Sequence, residues 1–258
     1  MKKLGIISII GVMLVGLTSC GVSNKTTLSE STTEVEISEA SDIMDNVQLA
    51  TADATPTYTF TEEDYNDFKD VMNSFTSMTC LQLNILEADG IEVNSQKLDI
   101  TCDLGNKTVE WKINDGELNK FDGKENIYYK ADENGELQEN FGSIPTLGFN
   151  VNKLDGMWGL FEYLVGSDAK ELIGVAGEVT DDGYEYYKFT KEASDKDILG
   201  VDYDSLDDSI VYTYIFKDGV PVSINASMGY VKDGTNYTTR TSLQFNNLKI
   251  GDEENAVK

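Results

Sequence analysis

The 258-residue chain contains no histidine. That removes the commonest general base, every Ser-His or Cys-His nucleophile pair and the commonest transition-metal ligand. Arg240 is the single arginine, so bidentate clamps on phosphate or carboxylate are almost absent. Basic residues of both kinds number 20 against 46 Asp and Glu. Nucleic-acid binding requires clustered Lys and Arg, and lying flat on an anionic bilayer requires a basic face, so neither partner is expected. The acidity implies solubility and self-repulsion first, with a cation-binding surface as a second reading. Catalysis is not expected: carboxylates and lysines are the groups left to perform it, and with 46 acids no particular pair is singled out. No cofactor and no metal site are implied.

The chain opens with Lys2 and Lys3, an apolar stretch from Leu4 to Leu17, and then Thr18-Ser19-Cys20. A basic start, a short apolar core and small exit residues have the form of a secretory signal, too short for a spanning helix. Leu17-Thr18-Ser19-Cys20 resembles the lipobox of bacterial lipoproteins. That resemblance implies a signal peptide over 1–19, cleavage before Cys20 and a diacylglyceryl group on its sulfur. It also implies attachment to the outer side of the cell membrane, with the membrane as partner through lipidated Cys20. Two or more acyl chains anchor a protein stably where one does not, at roughly 0.8 kcal/mol per buried methylene. Losing Lys2 and Lys3 takes the formal charge from −26 to −28.

From Gly21 to about Tyr58 the chain is rich in Ser, Thr and Glu without sustained periodicity. Residues 20–58 therefore read as a lipid-anchored, disordered acidic tether, which as a flexible coil spans roughly 30–35 Å. Residues 59–258 suit one domain with a sizeable core.

That domain opens with a helix. Thr61 is the expected N-cap, Asp64 completes a capping-box pattern, and Tyr65, Phe68, Met72 and Phe75 form an apolar stripe. After Met78 the period becomes two. Leu81, Leu83 and Ile85 alternate with Gln82 and Asn84, and Leu98, Ile100, Cys102 and Leu104 alternate with Asp99, Thr101 and Asp103. Three more alternating runs follow over 210–216, 222–230 and 237–245. Asp89-Gly90, Asp115-Gly116, Asn134-Gly135, Asp182-Gly183, Asp218-Gly219 and Asp233-Gly234 supply hairpin turns between runs. The expected fold class is mainly β (α+β), an antiparallel meander of roughly eight to eleven strands in a large curved sheet. One segment breaks the pattern: Leu154, Met157, Trp158, Phe161, Leu164 and Val165 fall on one helical face.

Lipobox, tether, one amphipathic helix and a long meander with a helical insert together resemble the lipoprotein-carrier (LolA-like) half-barrel family over about residues 61–250. The likeness is one of layout, without a short signature motif. It implies a curved antiparallel half-barrel with the N-terminal helix and the insert on its concave side, and an apolar cavity between them that takes acyl chains. Two departures stand out: the carrier is soluble and uses Arg in its cavity mouth, whereas this chain carries an anchor and has only Arg240. Transport of lipoproteins to an outer membrane is not carried over. The acidic, lysine-using composition looks more like that of a Gram-positive surface protein.

The best ligand-site candidates are accordingly Leu154, Met157, Trp158, Phe161, Leu164 and Val165, as a lid over an acyl chain or as a core helix packed dry on the sheet. Cys80 and Cys102 invite a disulfide in an exported protein. If Leu81, Leu83 and Ile85 share a face with Ile100 and Cys102, however, Cys80 points away and no bridge forms unless a bulge shifts the phase. Asp202 to Asp208 lacks the glycine and the closing glutamate of a calcium loop and reads as a solvated acidic turn. Tyr184 to Tyr187 reads as cross-strand aromatic packing ahead of a sugar-stacking platform. The expected function is a membrane-anchored lipoprotein binding lipid or a lipid-linked glycan. The alternative is an interaction or scaffold lipoprotein with a filled core, whose protein partners the sequence does not name.

Overall fold

The fold is seen in a computed structural model over residues 58–142, 149–161, 169–180, 183–193 and 203–250. The signal segment, Cys20, the tether, Asp202, Leu164 and Val165 lie outside these described residues. No helix among them is long and apolar enough to cross a membrane.

Thr61 caps helix α1 (Glu62–Ser74) as its sequence predicts. The Asp64 amide donates to Thr61 Oγ1 at 3.2 Å, and the Thr61 amide donates to Asp64 Oδ2 at 2.7 Å. Glu62, Glu63 and Asp64 place negative charge at the positive end of the helix dipole. Phe68 and Met72 turn inward, and Phe75 begins the first long strand with no intervening loop.

Among the described residues thirteen strands form one open, curved antiparallel sheet. In chain order they are β1 (Tyr58–Thr59), β2 (Phe75–Ala88), β3 (Ile91–Asp103), β4 (Thr108–Ile113), β5 (Asn119–Asp122), β6 (Ile127–Ala131) and β7 (Leu137–Glu139). There follow β8 (Ala176–Val179), β9 (Tyr184–Glu192), β10 (Ser205–Leu206), β11 (Ser209–Lys217), β12 (Val220–Lys232) and β13 (Thr235–Ile250). The spatial order is β1-β8-β9-β11-β12-β13-β2-β3-β4-β5-β6-β7, with β10 also paired to β12. The first and last long strands, β2 and β13, meet at the centre. Strands of two or three residues (β1, β7, β10) carry no readable period, which is why the sequence suggests fewer.

Hairpins β2–β3, β11–β12 and β12–β13 turn on Asp89-Gly90, Asp218-Gly219 and Asp233-Gly234, with φ positive at both residues of each pair. That is the mirror-image turn whose twist matches the strands. Between β4 and β5 the positive φ values fall on Asn114 and Asp115 instead of Asp115-Gly116.

One local irregularity reverses an expectation. Glu87 pairs with Glu92 but Leu86 pairs with Asn94, so Val93 is an extra, bulged residue. Because side chains alternate, one extra residue changes which set faces inward. Cys80 therefore lies opposite Ile100 and Met78 opposite Cys102, all four buried. Gln82 and Asn84 face the core, and Leu81, Leu83 and Ile85 lie on the outer face. Hydrogen bonds link this polar row: Gln82 Nε2 donates to Asn84 Oδ1 at 3.1 Å, Asn84 Nδ2 to Gln96 Oε1 at 3.1 Å, and Thr241 Oγ1 to Asn84 Oδ1 at 3.0 Å, while Gln82 Oε1 has no partner among the described residues.

The bulge puts Cys80 and Cys102 on one face, but as diagonal neighbours, typically about 7–8 Å apart at Cα and beyond easy disulfide reach. Both are free and buried. Burial, and for Cys80 also the neighbouring Cys102, pushes both thiols well above the ordinary cysteine range. In the chain from Gly21 onward, neither is expected to react with a soluble thiol reagent at pH 8 until denaturant is added. Rapid labelling of the native protein, read by intact mass, would contradict this packing.

Candidate functional site

The insert forms a short helix, α2 (Met157–Leu160), instead of a continuous face from Leu154. Leu154 lies in a turn before it and packs toward the β5–β6 turn, where a Cβ on Gly123 would sit 2.5 Å from Leu154 Cδ1. Gly156 is the N-cap and offers no side-chain acceptor to hold a longer helix. Met157, Leu160 and Phe161 are fully buried. Phe161 meets Phe245 of β13 edge-to-face at 5.8 Å and Phe149 at 6.3 Å. Trp158 is partly buried and joins the two helices, its ring 5.3 Å from Phe68 and 5.6 Å from Tyr65. This segment is packed against the sheet with its own side chains.

The cavity lies elsewhere on the same inner face, where the start of α1 crosses β1, β8, β9 and β11. It has a volume of about 520 Å³, within the range of small-molecule sites. Its floor is four rings, Phe60 from the link between β1 and α1, Phe68 of α1, Tyr187 of β9 and Phe216 of β11. Phe60 meets Tyr187 edge-on at 5.0 Å, and Phe68 meets Phe216 at 5.0 Å and 87°. Register explains the gathering. Phe216 of β11 pairs with Glu185 of β9, Glu185 pairs with Val179 of β8, and Tyr187 pairs with Gly177, so all point to one face. The Tyr187 ring lies directly over Gly177, where an added Cβ would be 2.3 Å from its Cε1.

The mouth is lined by Tyr58, Asp64, Asp67, Val179 and Glu185, with Gly219 of the β11–β12 turn. The Tyr58 hydroxyl donates to both Asp64 oxygens, at 2.7 and 2.8 Å. The Tyr187 hydroxyl donates to Glu185 Oε2 at 2.7 Å. The bond to Asp64 is the main reason the Tyr58 phenol is raised above its usual range. Burial, then the Glu185 bond, raise Tyr187 further, so both stay neutral donors. Burial works against the Asp64 charge, but donors from Thr61 and Tyr58 outweigh it and hold its carboxyl below the usual range. Among the described residues no Lys or Arg lines the cavity.

A second cavity of about 460 Å³ lies at the irregular end of β13, between Met78, Thr101, Cys102, Asn247 and Lys249. Its mixed polar lining has no comparable cluster of rings. Among the described residues no group of three or more Cys, Asp or Glu is placed to hold a metal. Ser205-Leu206 of the acidic turn pairs with β12, and Asp207 packs on Gly229. Of the Tyr184–Tyr187 cluster, Glu185 and Tyr187 enter the cavity, while the rings of Tyr184 and Tyr186 lie 6.5 Å apart. Phe60, Asp64, Asp67 and Phe68 fall at i, i+4, i+7 and i+8, one face at the start of α1, but nothing in the sequence ties that face to Val179 or Phe216. The i, i+2 placement of Glu185 and Tyr187 on β9 is a second local signal.

No protein-family model matches the chain, and no curated protein does. Among solved structures, a DUF1329 family protein from Desulfovibrio piger is similar at 7% identity over 76% of this chain and 95% of its own. The TM-score is 0.25, too low for any inference to pass between the two chains.

Proposed function

We propose that the protein is an extracytoplasmic bacterial lipoprotein, held to the membrane by lipidated Cys20, that binds an apolar ligand in its half-barrel without chemically changing it. Lipid or a lipid-linked glycan is the ligand class. The observation that carries the reading is the ring-floored cavity of about 520 Å³ beside α1. Aromatic rings offer large, rigid apolar surface, and a partly enclosed site lets a ligand shed most of its hydration. The likeness in layout to lipoprotein carriers agrees with this, as does a tether that lets the domain move relative to the bilayer. Absence of histidine supports binding over catalysis.

The filled packing of Met157, Leu160 and Phe161 favours the alternative, an envelope scaffold, at that end of the sheet. Phe141, 90% exposed, and Ile91, 70% exposed, would then contribute contact surface. Uptake of N-phenyl-1-naphthylamine, a neutral fluorescent probe, by the chain from Gly21 onward separates the two. Core, sheet and both helices lie between Tyr58 and Ile250, so this chain carries the folded unit. Binding should be saturable, and Val179→Trp, at an exposed mouth position, should weaken it at least fivefold. A probe that stays dark, together with no ligand mass in the native mass spectrum, would leave the scaffold ahead.

A further inference from the structure

We infer that the cavity beside α1 selects a ligand whose polar end is an ammonium group, an apolar-bodied amine or quaternary amine; this rests on the binding reading above. The hydrogen-bonding sense of the mouth carries the argument. Each of the two tyrosine hydroxyls has one proton, and both are already given to carboxylates, Tyr58 to Asp64 and Tyr187 to Glu185. The polar side chains facing an entering ligand therefore offer acceptors alone. Among the described residues, Glu185 Oε1 makes no hydrogen bond and Asp67 has no partner. A ligand carboxylate or phosphate would meet three carboxylates and no cation, and would be desolvated without compensation. A neutral hydroxyl would satisfy one acceptor. An ammonium brings positive charge and, when not quaternary, several donors. Behind the mouth, Tyr187 and Phe216 line the cavity, and an aromatic ring attracts a cation placed over it within about 6 Å. Charge and rings thus ask for the same head group while the floor takes the apolar body.

Three probes of equal chain length test this on the chain from Gly21 onward by calorimetry: hexyltrimethylammonium, hexanol and hexanoate. The cation should bind at least tenfold tighter than hexanol, about 1.4 kcal/mol, and hexanoate at least tenfold weaker. The double variant Asp67→Asn, Glu185→Gln keeps an acceptor for Tyr187 and should lose at least tenfold for the cation while hexanol is unchanged. Glu133→Gln with Glu136→Gln, on the β6–β7 turn, removes the same charge far from the cavity and should change little. An equal loss in that control would assign the effect to the overall acidic field and overturn the inference. So would hexanoate binding as well as the cation. Hexanol and the naphthylamine binding with no preference for the cation would sink the ammonium selectivity and leave the cavity reading intact. Failure of all four to bind would remove both.

Discussion

Phe161→Ala is expected to destabilise the protein by about 3–5 kcal/mol, the loss typical of emptying a fully buried phenylalanine site. Phe161 has no exposed surface and is wedged between Phe245 of β13 and Phe149. Little in this neighbourhood can collapse to refill the space, because β13 is locked between β12 and β2. Urea unfolding followed by far-UV circular dichroism gives the value. A loss below 1 kcal/mol would mean that the segment detaches from the sheet readily, as a lid would. The measurement therefore decides between the two roles the sequence leaves open for Met157, Trp158 and Phe161.

Gly177→Ala should lower stability by about 1–3 kcal/mol, as overpacking does, and should abolish uptake of the neutral probe. The backbone is not the obstacle here; space is. An added Cβ would lie 2.3 Å from Tyr187 Cε1 and 2.6 Å from Cδ1. The Tyr187 ring is 1% exposed, held by Phe60 and Phe216, and lines the cavity, so a ring pushed off Gly177 is expected to move into that space. Moving it there also breaks the 2.7 Å bond to Glu185. Stability and uptake both equal to those of the parent would show that Tyr187 does not form the floor.

Much of the fold was legible in the sequence where the governing interactions are local. Thr61 and Asp64 form the predicted capping box, and Phe68 and Met72 fall on the buried side of α1. The alternating runs over 210–216 and 237–245 place Tyr212, Tyr214, Leu243 and Phe245 in the core. Three of the Asp-Gly pairs turn the hairpins they mark. The glycine-spaced segment 154–161 was less legible, because a helical period does not reveal how short a helix will be when neither end is capped by a side chain. The site was hardest of all. Its residues come from β1, α1, β8, β9 and the β11–β12 hairpin, and no local spacing brings these together.

Taken alone, the chain of residues determined a mainly β fold, the position of α1, and the exclusion of histidine chemistry and arginine clamps. Each of these follows from composition or from spacing within a few residues. Tertiary structure decided which faces of the strands turn inward and where the hollow remains. Leu81, Leu83 and Ile85 have an inward-facing pattern, yet the single bulged Val93 sends them outward and brings in Gln82 and Asn84. The physical reason is that alternation has a period of two residues, so a strand's phase depends on one inserted residue. The core chooses that phase by burying Leu98, Ile100 and Cys102 together with Met78 and Cys80.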